Sequence, residues 1–179
     1  MGDYDEQHIV RLLSETATQR MGFELLVRCY SEQLYWIIRR IVLVHDDAND
    51  VLQNTFLKAW NGLDSYHGDA KISTWLSRIA INESLDFLRR RKQQTVSMDD
   101  ISVSPFIADE YFDGSEAETM LQEAIATLPD VQRTVFLLRY FEEKKYSEIS
   151  QLLNTSEGAL KASYHIAVKK ISDYFKSHD

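Results

Sequence analysis

Polar and aromatic side chains suited to nucleic acid recur along the segment 71–92. They stand three or four residues apart, which places them on one side of a helix. Arginine, asparagine and aromatic groups together suit single-stranded bases, because they combine stacking with hydrogen bonds to base edges. The segment ends in four positive charges, residues 89–92, which also suit a helix C-terminus. The recurring residues are Lys71, Trp75, Arg78, Asn82, Asp86 and Arg89.

The loop of residues 66–71 directly precedes this helix, and at that position it could form a pocket for an extruded base. Without its neighbours, however, the segment is better explained by a solvated helix face with a basic end that matches the helix dipole. Trp75 is expected to be partly buried rather than a pure stacking platform. The loop consists of Tyr66, His67, Gly68, Asp69, Ala70 and Lys71.

Residues 146–175 carry the spacing of a helix-turn-helix. Ser150, Asn154 and Leu160 stand four and six residues apart. The motif requires a small residue, a left-handed turn residue and a buried aliphatic residue at these positions. Thr155 or Ser156 can cap the second helix. The alternative for this segment is an ordinary pair of helices with a solvated lysine side.

The second helix of this motif, about residues 156–175, has two contrasting sides. Leu160, Tyr164, Val168, Ile171 and Phe175 are predicted to face the core. Small residues on the other side would let the helix enter a DNA major groove, where alanine contacts thymine methyl groups and lysine suits phosphates. That side comprises Gly158, Ala159, Lys161, Ala162, His165, Ile166 and Lys169.

A third segment, residues 46–63, predicts a helix with an acidic and amide-rich side. Its buried side is expected to consist of Leu52, Phe56, Ala59, Trp60 and Leu63. Exposed aliphatic residues among acids and amides would suit a protein partner, although single exposed apolar residues are common on any surface. The exposed side comprises Asp47, Asp50, Val51, Gln53, Asn54 and Leu57.

The composition indicates that helices position all three segments. Glycine and proline make up 8 of 179 residues, well below the usual share of about 12 %. The predicted fold is all-α, with two small helical domains, residues 1–94 and 117–179, joined by a flexible acidic linker, residues 95–116. No apolar run of about 18 residues and no apolar signal core are visible, so a cytoplasmic protein is expected. Cys29 is expected to be a buried, inert thiol.

The net charge of −8 by itself argues against nucleic acid, whose protein partners are usually basic. The charge is unevenly distributed, however. Residues 97–130 hold nine acids and no base, whereas residues 66–96 carry a net charge of +3 and residues 131–179 a net charge of +2. The two candidate nucleic-acid segments therefore lie in the net-positive parts of the chain.

The sequence shows none of the usual patterns of catalytic chemistry. It contains no paired carboxylates, nucleophile elbow, phosphate-binding loop or metal-ligand spacing, and its five histidines are scattered. No enzymatic activity, metal, cofactor or small-molecule substrate is therefore expected. One alternative is a stand-alone helix-turn-helix regulator whose N-terminal half senses a signal or dimerises.

Three segments, in this order, resemble the bacterial RNA polymerase sigma factors of the sigma-70 family, in their small extracytoplasmic-function (ECF) group. Residues 47–66, DANDVLQNTFLKAWNGLDSY, resemble the polymerase-binding helix of region 2.2. Residues 66–92, YHGDAKISTWLSRIAINESLDFLRRRK, resemble regions 2.3 and 2.4, and residues 128–171 resemble region 4. The resemblance implies a non-catalytic factor that directs the polymerase to specific promoters and promotes strand opening at the −10 element.

The resemblance also implies a role for each surface. The −10 element would be bound by the loop 66–71 and by Trp75, Arg78, Asn82, Arg89 and Arg90, with Asn82 in the region that captures a flipped base. The clamp helices of the polymerase β′ subunit would bind Asp47, Asp50, Val51, Gln53, Asn54, Phe56, Leu57 and Trp60. The −35 element would be read by Ser156, Glu157, Gly158, Ala159, Lys161, Ala162, His165 and Lys169.

Further partners implied by the resemblance are the polymerase β flap, promoter DNA and an anti-sigma factor, which in this group is often membrane-anchored. The chain departs from the family at His67, where many relatives have arginine. Ala162, Ser163 and Ile166 likewise stand where serine, arginine and arginine are frequent. Fewer phosphate contacts follow, so the free protein is expected to bind DNA poorly and to bind it well only within the polymerase.

Overall fold

The computed structural model of the protein describes residues 6–94 and 115–178. All regular elements in these two ranges are helical, which confirms the predicted all-α fold. The predicted linker, residues 95–116, lies almost entirely outside the described residues. The elements are α1 (Glu6–Ser14), α2 (Gln19–Val42), α3 (His45–Asn61), a 3₁₀ turn (Leu63–Ser65), α4 (Ile72–Gln94), α5 (Glu116–Ala126), α6 (Asp130–Tyr140), α7 (Tyr146–Leu153) and α8 (Glu157–His178).

The described residues form two compact units. One unit comprises residues 6–42 and 46–87, and the other comprises residues 43–45, 88–94 and 115–178. Two helical units agree with the predicted fold class. The division falls within the continuous helix α4, so the domain limits at residues 94 and 117 stay a prediction.

A tight hairpin joins α1 to α2 in the first unit. The Thr18 hydroxyl donates to the carbonyl oxygen of Leu12 at 2.8 Å, and the Thr18 carbonyl accepts from the Gly22 N–H at 2.9 Å. Gly22 is buried, and a Cβ added there would lie 2.8 Å from the Leu12 Cβ and 3.0 Å from backbone atoms of α1. The missing side chain at Gly22 therefore sets the distance between the two helices.

Most of the other buried side chains of this unit are aliphatic. Leu34 and Ile38 of α2 and Leu76 and Ile81 of α4 have at most 1 % of their surface exposed. Burial of each such side chain contributes about 1.5–3 kcal/mol. In the part of the chain that the structure describes, no helix is both long and apolar enough to cross a membrane.

The second unit is organised around a buried cation on α6. Arg133 is 1 % exposed, and its guanidinium donates to the Ala126 carbonyl at 3.2 Å and to the Asp130 carboxylate at 2.6 Å. Burial lowers the pKa of Arg133, and the Asp130 carboxylate counteracts that shift. These bonds tie the end of α5 to the start of α6. Pro129 directly precedes α6, with φ −54° and ψ 145°.

Gly22→Ala is expected to lower the free energy of unfolding by about 1–3 kcal/mol, because the new methyl group must displace the α1 backbone. The better helix propensity of alanine offsets at most about 1 kcal/mol. Urea unfolding followed by far-UV circular dichroism measures the effect, because Trp36, Trp60 and Trp75 all lie in the first unit and their fluorescence would not report on the control position. Gly158→Ala is the matched control, because open space surrounds a Cβ at that position. An unchanged midpoint for Gly22→Ala contradicts this account of the hairpin.

Candidate protein and nucleic-acid interfaces

The outer side of α4 carries a polar stripe. Lys71, which directly precedes the helix, and Arg78, Asn82, Arg89 and Arg90 are exposed, and Asp86 is half-buried. The opposite side is buried through residues such as Leu76 and Ile81, so packing of that side forces the stripe toward solvent. Arg78 and Arg89 are cations that suit phosphates, and they lie on either side of Asn82 along the helix. The Asn82 amide can both donate and accept hydrogen bonds.

Trp75 is half-buried and packs on Tyr66, with 5.1 Å between ring centroids. Tyr66 in turn donates its hydroxyl to the Ala70 carbonyl at 2.8 Å, which closes the loop 66–71 on itself. Gly68 has a φ of +79°, a conformation that favours glycine. These three features hold the loop in one shape at the start of α4. The remaining loop residues His67, Asp69, Ala70 and Lys71 are exposed.

Two open cavities lie against the loop. One, of about 320 Å³, is lined by Leu13, Asp64 and His67, and the other, of about 730 Å³, by Glu6, Arg11, Asp69 and Lys71; Val10, Tyr66 and Gly68 line both. Burial, reinforced by Glu6, raises the pKa of Tyr66. The Tyr66 phenol therefore stays protonated at neutral pH.

Glu6 of α1 makes a contact with α4 that the sequence pattern did not predict. Its carboxylate accepts a hydrogen bond from the backbone N–H of Ile72 at 2.6 Å, and so caps the N-terminus of α4 from another helix. The two residues are 66 positions apart. A cap of this kind leaves no local signal, because the usual capping residue directly precedes the helix.

The exposed side of α3 differs from the expected one at Val51, which is 1 % exposed and belongs to the core. The buried residues are Ala48, Val51, Thr55 and Ala59. Three of these four are small, so α3 can approach its neighbours closely, whereas larger Trp60 remains 40 % exposed. The prediction that Leu52, Phe56 and Trp60 form the buried side of α3 was therefore wrong, because the helix is rotated about its axis relative to that prediction. Leu52 and Phe56 are half-buried.

The remaining α3 candidates do lie on the surface. Asp50, Gln53 and Asn54 are exposed, Asp47 is half-buried, and Leu57 is 56 % exposed. Phe23 of α2 supports the aromatic margin of this surface, with centroid distances of 6.3 Å to Phe56 and 5.0 Å to Trp60. The side presents apolar groups bordered by acids and amides, as protein interfaces do.

An ion pair between an exposed lysine and a buried carboxylate joins α3 to α4. The Lys58 ammonium contacts the Glu83 carboxylate, whose side chain is 6 % exposed, while the Lys58 side chain is 59 % exposed. Lys58 adjoins Leu57 on α3, and Glu83 adjoins Asn82 on α4. The pair therefore links the two candidate surfaces. Sequence reasoning missed it, since the partners are 25 residues apart.

The turn between α7 and α8 has the predicted geometry. Asn154 adopts the left-handed conformation with φ and ψ of 49°, and its N–H bonds to the Ser150 carbonyl. The Ser156 hydroxyl accepts from the Ala159 N–H at 3.3 Å and so caps α8, which begins at Glu157. Leu160 is 1 % exposed, as predicted. The helix-turn-helix expectation is thus confirmed in its local geometry.

The sides of α8 follow the prediction except at Val168. That residue is 42 % exposed, and Ala167, with no exposed surface, packs in the core beside Leu160 and Ile171. Alanine allows a closer helix approach than valine, and a pattern that ranks residues by hydrophobicity misses this. The predicted outer residues are exposed: Ser156, Glu157, Gly158, Ala159, Lys161, Ala162, His165, Ile166 and Lys169.

Aromatic rings support the outer side of α8. Tyr164 stacks on Phe136 of α6 at 5.7 Å and meets Tyr146 of α7 edge-on at 6.4 Å. The Lys161 ammonium lies 5.6 Å from the centre of the Tyr146 ring and 3.8 Å from the Glu157 carboxylate. These contacts orient Lys161 at the start of the helix.

Comparison with known proteins identifies the family. Residues 26–94 match sigma-70 region 2, and residues 118–171 match sigma-70 region 4. The ECF RNA polymerase sigma factor SigW of Bacillus subtilis strain 168 is 30 % identical over 156 residues, covering 80 % of this chain and 83 % of SigW. The ECF sigma factor SigM of Mycobacterium tuberculosis strain Erdman is 30 % identical over 164 residues, covering 90 % of this chain and 81 % of SigM.

Two solved structures share the fold. The sigma factor RpoE, solved with the anti-sigma factor NepR from Bartonella quintana, aligns with a TM-score of 0.70 at 22 % identity, over 86 % of this chain and 96 % of RpoE. CnrH, solved with the cytosolic domain of CnrY, aligns with a TM-score of 0.68 at 22 % identity, over 98 % of this chain and 99 % of CnrH.

The chain belongs to the sigma-70 family of RNA polymerase sigma factors. Within that family it belongs to the ECF group, whose function is promoter-specific initiation of transcription with RNA polymerase. A stand-alone helix-turn-helix regulator is not favoured, because the match extends to region 2 as well as region 4.

Lys58→Met is expected to lower the free energy of unfolding by about 1–3 kcal/mol. Removing one partner of a fully buried pair costs roughly 3–5 kcal/mol, and the exposure of Lys58 reduces that figure. Glu83→Gln should cost less, because it leaves no buried charge. Urea unfolding followed by tryptophan fluorescence measures both, with Lys58→Arg as the control that keeps the charge. Equal losses for Lys58→Met and Lys58→Arg are incompatible with a role for the charge.

Proposed function

We propose that three exposed surfaces divide the work of this sigma factor. The outer side of α3 binds the polymerase core, the loop 66–71 with α4 binds and opens the −10 element, and the outer side of α8 reads the −35 element. The observation that carries the proposal is the exposed stripe of α4, which places Asn82 between cations and continues from a loop flanked by two cavities.

The −10 surface has the parts that capture of an unpaired base requires. A flipped base needs a cavity, an aromatic wall and groups that bond its edge. Tyr66 lines both cavities and packs on Trp75, and Asn82 offers an amide farther along α4, outside the lining of either cavity. Lys71 and Arg78 suit phosphates. A surface that binds the unpaired strand more tightly than the duplex shifts the equilibrium toward strand opening.

The α3 surface suits a protein partner, and we assign to it the clamp helices of the β′ subunit. Exposed Leu57 and Trp60 supply apolar area, and Asp50, Gln53 and Asn54 supply a polar border. Burial of Leu57 and Trp60 would contribute most of the affinity, because aromatic and aliphatic anchors at an interface centre usually do. Val51 is buried, so it supports this surface from the core and does not contact the partner itself.

The remaining partners are the β flap, promoter DNA and an anti-sigma factor. The solved relatives RpoE and CnrH are each complexed with a second protein, which for RpoE is named an anti-sigma factor. A comparable regulator of this chain would hold it away from the polymerase, and both would act in the cytoplasm. The free chain should bind DNA weakly, because its net-positive segments carry only +3 and +2.

Run-off transcription with purified core polymerase tests the proposal as a whole. Transcripts from promoters selected out of random DNA are expected only when this protein is added. The control is core polymerase alone on the same templates. Failure to yield promoter-dependent transcripts across such a library contradicts the proposed function.

Asn82→Ala is expected to reduce open-complex formation about tenfold, because loss of a hydrogen bond to a captured base costs about 1–1.5 kcal/mol. Binding to core polymerase should stay unchanged. Permanganate footprinting measures the open complex, and co-purification measures core binding. The control is Gln33→Ala, which removes an exposed side-chain amide on α2, away from both surfaces. Equal losses in both assays count against base capture.

Reversing two charges of the α3 surface, Asp47→Lys with Asp50→Lys, is expected to weaken core association at least tenfold, because like charges then face the partner. Circular dichroism of the variant checks the fold, and fluorescence anisotropy measures the affinity. The control is Glu15→Lys with Glu32→Lys, an equal charge change at exposed sites off this surface. Unchanged association removes the α3 surface from the proposal.

A further inference from the structure

Ile166 is an exposed aliphatic residue on the side of α8 that otherwise carries small, basic and polar groups. It is 43 % exposed. Ala159 and Ala162 precede it by seven and four residues, which places the three side chains in one line along the helix. Leu160, Ala167 and Ile171 are buried on another side of α8, and Ile166 is not among the residues that the helix buries in the core.

The groups around this line suit DNA. His165 and Lys169 are exposed beside it, and the Lys169 ammonium can reach a backbone phosphate. From Ala159 to Ile166 the helix rises by about 10 Å, which is close to three base-pair steps. The line of methyl groups therefore has the length of a short recognition element, and basic residues border it.

An aliphatic side chain in the major groove distinguishes thymine from guanine. The thymine C5-methyl is the apolar group that the groove displays, and apolar side chains contact it. Guanine instead presents two acceptors, which isoleucine would desolvate without replacing their hydrogen bonds. Ile166 therefore favours thymine and disfavours guanine at the base that it meets.

We infer that Ile166, with Ala162 and Ala159, reads thymine methyl groups of the −35 element and is a specificity-determining residue of this sigma factor. The inference rests on the proposed role of α8 at the −35 element. It assigns to the chain a −35 preference for thymine at the base that Ile166 contacts.

Removal of the thymine methyl group from the DNA, and of the aliphatic side chain beyond Cβ from the protein, tests the inference. The probe is a duplex promoter that the reconstituted holoenzyme has selected from random DNA, with each thymine of its −35 element replaced in turn by deoxyuridine. One such replacement is expected to weaken binding of the wild-type holoenzyme about fourfold, the effect of one buried methyl group. Ile166→Ala should weaken binding to the thymine promoter and abolish sensitivity to that uridine.

Val168→Ala is the matched control. Val168 is a β-branched residue of nearly equal exposure, 42 %, and two residues turn the helix by about 200°, so it points away from the line of Ile166. Its holoenzyme should keep full sensitivity to uridine. Ile166→Arg adds a positive readout, because arginine pairs with guanine, and selection by that holoenzyme should replace thymine by guanine at one position.

The outcomes separate this inference from the function on which it rests. A holoenzyme that transcribes from its promoter but is insensitive to uridine at every −35 thymine overturns the inference and leaves the sigma function intact. The same holds if Ile166→Ala keeps the wild-type sensitivity, or if the selected −35 element contains no thymine. Absence of promoter-dependent transcription contradicts the function itself.

Discussion

The Lys58–Glu83 pair is the constraint that relates the two proposed working surfaces of the first unit. A carboxylate that is almost fully buried is tolerated only when a cation or hydrogen bonds compensate its desolvation. Glu83 meets this requirement through a side chain of α3. The ion pair thereby couples the rotation of α3 about its axis to that of α4. Leu57 and Asn82 directly precede the two charged residues, so the same pair fixes the direction in which each of them faces solvent.

The distribution of charge supports a division of labour between this chain and the polymerase. The acids concentrate in residues 97–130, whereas the proposed DNA-binding segments are only slightly basic. Since electrostatic attraction to phosphates supplies most non-specific DNA affinity, a weakly basic surface gives little binding on its own. In this view the specificity of the chain comes from side chains such as Asn82 and the α8 line, and much of the affinity comes from the enzyme that carries it.

Predictions from local pattern succeeded where a local interaction decides the structure. Asn154 takes the left-handed turn and Ser156 caps α8, since each depends on residues within a few positions. Predictions failed at Val51 and Val168. The prediction placed the larger apolar residues of each helix in the core, but small residues such as Ala48 and Ala167 give the closer helix contact and set the rotation of each helix.

The sequence by itself determined the all-α class, the order of the helices, the helix-turn-helix and the family, because these depend on periodicity, turn residues and contiguous motifs. Only the tertiary structure decided which side of α3 is buried, that Glu6 caps α4, and that Lys58 compensates Glu83. The capping contact spans 66 residues and the ion pair 25, and no local spacing predicts the meeting of such partners. The packing of the helices decides which residues meet. A buried N–H or carboxylate requires a hydrogen-bond or charge partner, and residues distant in the sequence supply it.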